Sequence, residues 1–230
     1  MLDLKVMSAG AVRSALEELA AEFSRATGHR LDIAFNTVGA QRQKLAAGER
    51  ADVIILSASA IEALEKEGAL VPGSRADLGR TFTGVAVRAG AALPDLSTAE
   101  SFKQVLLSAR SVSYTDPKAG GSSGIYLAGL LERMGIADAV NGKTVFRRGG
   151  LEVARAVAAG EAEIGITFIS EILPVKGVKL AGPLPAAVQN ANTYTAAVAA
   201  TSSQREAAEA LIKAITSPAA RARFKATGFE

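Results

Sequence analysis

Between an apolar run at 111–115 and a helical periodicity that begins at 123 stands the segment Asp116-Pro117-Lys118-Ala119-Gly120-Gly121-Ser122-Ser123-Gly124. Its residue types suit one kind of chemistry, the binding of an anion. Glycines let the backbone turn tightly, and two serines carry hydroxyls. The first N–H groups of a helix have no partner of their own and lie at the positive end of its dipole. The same residues also read as an ordinary glycine-rich turn in which Ser122 or Ser123 is the N-cap, so the companions of this junction carry the weight. Three more strand-to-helix junctions have the same small or polar character: Ser8-Ala9-Gly10-Ala11, Asn36-Thr37-Val38-Gly39 and Arg147-Arg148-Gly149-Gly150. In open α/β sheets ligands bind beyond the carboxyl ends of the strands, where helices begin. Converging helix starts make a donor-rich pocket for an oxyanion or carboxylate, each dipole contributing about 0.3–1 kcal/mol.

The elements that must position these junctions alternate along the chain, which marks an α/β protein with largely parallel sheets. The pattern predicts strands at 2–7, 31–35, 52–56, 81–88, 111–115, 144–146, 162–168 and 193–199. Between and after them it predicts helices at 11–27, 39–47, 58–67, 98–109, 123–134, 150–160, 204–216 and 218–226. Residues 89–97 read as a loop. The stretch with Pro174, Gly177, Gly182, Pro183 and Pro185 reads as turns without regular structure.

Composition removes several function classes. There is no cysteine, hence no disulfide, no thiolate catalysis and no zinc-thiolate site. The single histidine, His29, falls in a polar turn and reads as a solvated surface imidazole, which leaves no basis for a histidine triad or a metal centre. No metal and no cofactor are expected. Aromatic residues are 5% of the chain and tryptophan is absent, too few for a platform that stacks bases. The net charge of +3 is spread among 23 acidic residues, so nucleic acid is not an expected partner. The apolar runs are short and broken by Gly, Arg or Glu, and none reads as a membrane span. The amino terminus enters a strand at once, without the basic and apolar regions of an export signal. A periplasmic location is expected if such a signal has been removed, and a cytoplasmic one otherwise.

Several segments taken together resemble a known family. They are Ala47-Gly48-Glu49 before Ala51-Asp52-Val53-Ile54-Ile55, Asp116-Pro117 before Gly124-Ile125-Tyr126, Ala162-Glu163-Ile164-Gly165-Ile166, and Ser217-Pro218-Ala219-Ala220 through Gly228-Phe229. Over the full chain this order resembles the type 2 periplasmic binding proteins, and among them the molybdate-binding subgroup. The resemblance implies an α/β fold of two lobes joined by two crossing hinge strands, with the ligand held between the lobes. Lobe 1 would comprise 1–80 and 196–230, lobe 2 would comprise 81–195, and the crossings would fall near 81–84 and 192–195. It also implies a monomer that hands its ligand to an ABC-type membrane permease.

Departures from the subgroup bear on the ligand. The molybdate-binding pattern places serine hydroxyls at the first two junctions and a tyrosine hydroxyl at the end of a later strand. The matching positions here are Ala11, Val38 or Gly39, and Phe168. A tetrahedral oxyanion would lose three side-chain donors, at about 1–3 kcal/mol for each acceptor left unmatched. What remains suits a small organic carboxylate better. Asn36, Thr37, Ser122 and Ser123 are directional donors, and Gly10, Ala11, Gly121 and Gly149 bring backbone amides. Val38, Phe168 and Ile169 supply apolar wall, while Ser8 and Tyr194 are further lining residues, Tyr194 with a core or hinge role as the alternative. Lys118, Arg147 and Arg148 add charge at the rim, or are simply solvated.

Two functions follow. One is a solute-binding protein that captures a small anion by closing two lobes and performs no chemistry. The other is an isomerase, since enzymes of the aconitate isomerase type are similar to the molybdate-binding subgroup. That reaction moves a proton across an allylic tricarboxylate and needs an acid and a base, for which Lys118, Glu171 and Tyr194 are the candidates. For Glu171 a cap or a solvated position after the strand is the alternative.

Overall fold

The computed structural model describes residues 2–230; Met1, with which the expected first lobe opens, lies outside them. The regular elements run β1 (Asp3–Ala9), α1 (Arg13–Thr27), β2 (Arg30–Asn36), α2 (Val38–Ala46), β3 (Val53–Ser57), α3 (Ala58–Lys66) and β4 (Ala76–Arg88). Then come α4 (Ala99–Ser108), β5 (Val112–Thr115), α5 (Ser122–Arg133), α6 (Ala137–Asn141), β6 (Thr144–Arg147), α7 (Gly150–Ala159) and β7 (Ile164–Phe168). The chain ends with α8 (Ile169–Ile172), β8 (Val178–Pro183), β9 (Ala191–Val198), α9 (Arg205–Ile215) and α10 (Pro218–Ala226).

Two compact units divide the chain. The first holds the residues up to Arg80 together with Asn192–Glu230, and the second is Thr81–Ala191. The strands β4 and β9 carry the chain from one unit to the other. Residues 192–195, expected in lobe 2, go with the first unit through strand pairing. Thr195 and Tyr194 are paired with Leu56 and Ser57 of β3, and the Thr195 hydroxyl donates to Asp77 Oδ1 at 2.5 Å.

In the first unit the order is β2-β1-β3-β9, with β1 parallel to both β2 and β3 and β9 antiparallel to β3. All five residues of β3 are buried, as an apolar run covered on both faces should be. Helix α1 buries Ala15, Leu16, Leu19, Ala20 and Phe23, the 3.6-residue stripe that its sequence shows, and packs on α9 and α10. Each fully buried Leu or Phe of such a stripe contributes about 1.5–3 kcal/mol. The helix expected at 11–27 is divided: Gly10–Val12 is a 3-10 turn, and α1 starts only at Arg13.

In the second unit β4-β7-β5-β6 form the sheet, and β8 pairs with the other side of β4. The ladders β5–β6 and β5–β7 are parallel, while β4–β7 is antiparallel. Val112, Tyr114, Ile164 and Ile166 share the face that packs on Leu127, Leu130 and Leu131 of α5 and on Phe102 and Leu106 of α4. Ser113, Gly165 and Thr167 point to the opposite face by strand alternation, and α7 covers that face. The turn-rich reading of the segment around Gly182 is corrected, because β8 forms there as an edge strand. Glycine and proline hide it from a propensity reading, yet an edge strand with a bulged partner tolerates both. The short helices α6 and α8 are also additions.

Candidate functional site

At the carboxyl ends of β1, β2 and β3 the first unit gathers one group of candidates. Ala9 lies opposite Asn36 in the parallel register, which brings Ser8-Ala9-Gly10-Ala11 beside Asn36-Thr37-Val38. The turn at Gly10–Val12 has no side-chain cap. Helix α2 is capped by Thr37, whose Oγ1 accepts from the Ala40 N–H at 3.1 Å. Asn36 Oδ1 accepts from the Thr37 N–H at 2.9 Å, which fixes its amide at this edge. Ser8 is fully buried and its hydroxyl donates to the adjacent Ala9 carbonyl at 3.2 Å.

Two residues of this edge were not singled out by sequence. Gln41 is wholly buried, and its Nε2 donates to the carbonyls of Ser8 at 2.9 Å and Ala34 at 2.6 Å, pinning the ends of β1 and β2. Arg13, in the first turn of α1, stacks its guanidinium 4.1 Å from the centroid of the Phe35 ring. A cation in the first turn of a helix opposes the helix dipole, and that mismatch was the available signal. Tyr194 is buried in this unit with its ring edge-on to Phe229, centroids 6.1 Å apart.

In the second unit the parallel strands β5, β6 and β7 end together. Thr115 lies opposite Arg147, and the Asp116 N–H donates to the Arg147 carbonyl at 2.8 Å. This joins the Lys118–Ser123 segment to the Arg147–Gly150 segment. Gly121, not a serine, is the N-cap of α5, and it makes no side-chain cap bond. Ser122 and Ser123 are the first two helical residues, and among the described residues neither hydroxyl has a partner. The first intrahelical bond runs from the Ile125 N–H to the Gly121 carbonyl at 3.0 Å. The N–H groups of Ser122, Ser123 and Gly124 therefore remain as donors beside the two hydroxyls. Gly124 lets α5 lie directly on β5, since a Cβ there would stand 2.0 Å from the Thr115 carbonyl oxygen.

The start of α7 differs. Its N-cap is Gly149, but the Gly150 N–H is already held by the Glu171 carboxyl, which also takes the Phe168 N–H and the Thr167 hydroxyl at 2.7 Å. Of the four small or polar junctions read from the sequence, the fourth has an acceptor of its own. Glu171 is buried, not solvated, and it caps α8 as its third residue. Burial pushes its carboxyl above the ordinary range against the pull of these three donors. Of the rim cations, Arg147 is paired with Glu161, whereas Lys118 and Arg148 are exposed and form no ion pair among the described residues. Phe168 is buried at the end of β7, on the sheet face that carries Ile166.

Among the described residues no cluster of three or more His, Cys, Asp or Glu could hold a metal ion, and no helix is long and apolar enough to cross a membrane. Each edge offers neutral donors, and at the second unit's edge Lys118 and Arg148 form no ion pair among the described residues, a set whose chemistry suits an anion.

The chain is similar to several known proteins. Aconitate isomerase from Pseudomonas sp is 36% identical over 234 residues, covering 99% of this chain and 87% of that protein. The fold is that of the Azotobacter vinelandii periplasmic molybdate-binding protein, with a TM-score of 0.82 at 23% identity over 99% of this chain and 98% of that one. It is also that of a sulfate-binding protein from Mycobacterium tuberculosis, with a TM-score of 0.80 at 16% identity over 100% and 86%. The chain thus has the mixed α/β, two-lobe fold of the type 2 periplasmic binding proteins. The model of one family covers residues 4–230, and by that match the chain belongs to the bacterial extracellular solute-binding proteins.

Proposed function

We propose that the protein binds a small polycarboxylate of the aconitate class, with a carboxylate taken at the donor-rich start of α5 in the second unit. The observation that carries this reading is the start of α5. Three backbone N–H groups and two serine hydroxyls stand there with no side-chain acceptor among them, flanked in sequence and register by the unpaired Lys118 and Arg148. A carboxylate accepts up to about four hydrogen bonds in directions that such a cluster can meet. Molybdate is the poorer match, because Ala11, Val38 and Phe168 bring no hydroxyl where an oxyanion would need one. Capture alone would serve delivery to an ABC-type permease in the periplasm.

The second reading is isomerisation of the same ligand, favoured by the 36% identity to aconitate isomerase over nearly the whole chain. The reaction takes a proton from one carbon of an allylic system and returns it two carbons away, so a group with a free head must reach both. Of the three candidates Lys118 is the exposed one. Tyr194 is buried and Glu171 is held by three donors.

A thermal-shift panel with molybdate, sulfate, citrate, and cis- and trans-aconitate tests the ligand class, since a ligand stabilises in proportion to the logarithm of its concentration over Kd. A shift with molybdate and none with the carboxylates overturns the reading. NMR of either aconitate isomer incubated with the protein tests the chemistry. No interconversion at high protein concentration leaves a binder and removes the isomerase.

A further inference from the structure

We propose that Glu171 is a positioning residue of the second unit's anion site: its carboxyl clamps the corner at Gly149 and Gly150 to the corner at Phe168 and Ile169. It acts as the built-in acceptor of α7 and leaves the start of α5 to an external anion. The proposal rests on the reading that α5 takes a carboxylate, but the decisive part of its test does not require that ligand.

The carboxyl collects donors from three separate places. The Thr167 hydroxyl comes from the end of β7, the Phe168 N–H from the residue before α8, and the Gly150 N–H from the first residue of α7. A Cβ at Gly150 would stand 1.9 Å from Glu171 Oε2 and 2.0 Å from Thr167 Oγ1. The acid therefore lies against bare backbone, at a position where any other residue would displace it. Among the described residues Glu171 forms no ion pair, so its compensation is made of backbone and hydroxyl dipoles alone. Thr115 Oγ1, buried and without a partner, belongs to the same sheet face as Thr167, because Ser113 and Gly165 are paired two residues earlier. Glu171 is the acceptor shared by the donors of this corner. The α5 start has no equivalent.

The test uses Glu171→Ala and Glu171→Gln, with formate as the probe for a missing carboxylate. The alanine variant should melt below the wild type, and formate should raise its midpoint by more than it raises that of the wild type, because formate can occupy the vacated position between the same donors. The glutamine variant, which keeps the shape and one acceptor oxygen, should fall between the two. Affinity for trans-aconitate should drop roughly tenfold in the alanine variant and less in the glutamine variant. An alanine variant that melts like the wild type, or gains no more from formate than the wild type does, overturns the proposal. If the alanine variant is insoluble, recovery of folded protein by refolding in formate supports the proposal, and failure to recover it there overturns it. Absence of trans-aconitate binding by the wild type would strike at the proposed function instead, and leaves the formate comparison to judge Glu171.

Discussion

The Gln41 side chain, fully buried, reaches back to the Ser8 carbonyl at 2.9 Å and holds the end of β1 against the start of α2. Its second bond, to the Ala34 carbonyl, does the same for β2. Gln41→Leu leaves both carbonyls without this donor, and the expected loss is about 1–3 kcal/mol. Urea unfolding should show a lower midpoint with an unchanged slope. Ligand affinity should fall as well, because the corner at Ser8–Ala11 loses its brace.

Two glycines in the second unit should respond in opposite ways. Gly124→Ala sets a methyl 2.0 Å from the Thr115 carbonyl oxygen, a backbone atom that cannot swing aside, so about 1–3 kcal/mol or more of stability should be lost. Gly149→Ala meets nothing within 4 Å and should leave stability within about 0.5 kcal/mol. An effect of Gly149→Ala on binding, measured by calorimetry, would then report on the ligand and not on the fold.

Ser122→Ala and Ser123→Ala remove hydroxyls that neither cap α5 nor bond elsewhere among the described residues. Thermal stability without ligand should hardly change. Binding of the carboxylate should weaken by about 1.5–3 kcal/mol for each hydroxyl that bonds a charged oxygen. Equal affinity in both variants and the wild type would remove the α5 start from the site.

Lys118→Met should weaken a tricarboxylate more than a dicarboxylate, and by about 1 kcal/mol at most for an exposed cation. The difference from the wild type should shrink as salt is raised toward 1 M, where the screening length is about 3 Å. Titrations at two salt concentrations check both points. If turnover exists, loss of interconversion with binding retained would mark Lys118 as the proton carrier.

Two glutamates should leave opposite signatures in stability against pH. Burial raises the Glu171 carboxyl, so the folded protein keeps a proton that the unfolded chain releases at the ordinary carboxyl value. Stability from this residue is greatest below that value and is lost as pH rises through the higher folded value. Glu163 is lowered, first by the Arg110 N–H and then, against some burial, by the Arg110 side chain. Its contribution is present above the ordinary value and is lost as pH falls through the lowered one. Urea unfolding across pH should therefore show Glu171→Gln gaining on the wild type as pH rises. Glu163→Gln should flatten the acid limb.

Much of the architecture is legible locally. Helix α10 spans Pro218–Ala226 as read from sequence, because Ser217 caps it and Pro218 suits its first turn. The buried strand β3 announces itself by its apolar run Val53–Leu56, and β7 by the β-branched and aromatic residues Ile164, Ile166 and Phe168. The edge strand β8 does not, since its Gly182 and Pro183 speak for a turn and only pairing with β4 makes it a strand. Gln41 and Arg13 escape notice for a similar reason: a glutamine and an arginine on a helix read as solvated until the fold sets a carbonyl or a ring against them.

Sequence by itself determined that helices begin in glycine- and serine-bearing corners at strand ends, and that cysteine and histidine chemistry is absent. Those are matters of residue type and of spacing along a few turns. Only the tertiary structure decided which corners keep their donors. At α7 the acceptor is Glu171, a residue from beyond the next strand that can approach because position 150 has no side chain. At α5 no side chain among the described residues caps the start, and Ser122 and Ser123 keep their hydroxyls without a partner there. Hydrogen-bond partners are chosen by position in space, and a distant carboxyl claims or spares a helix start only once the sheet has brought the strand ends together.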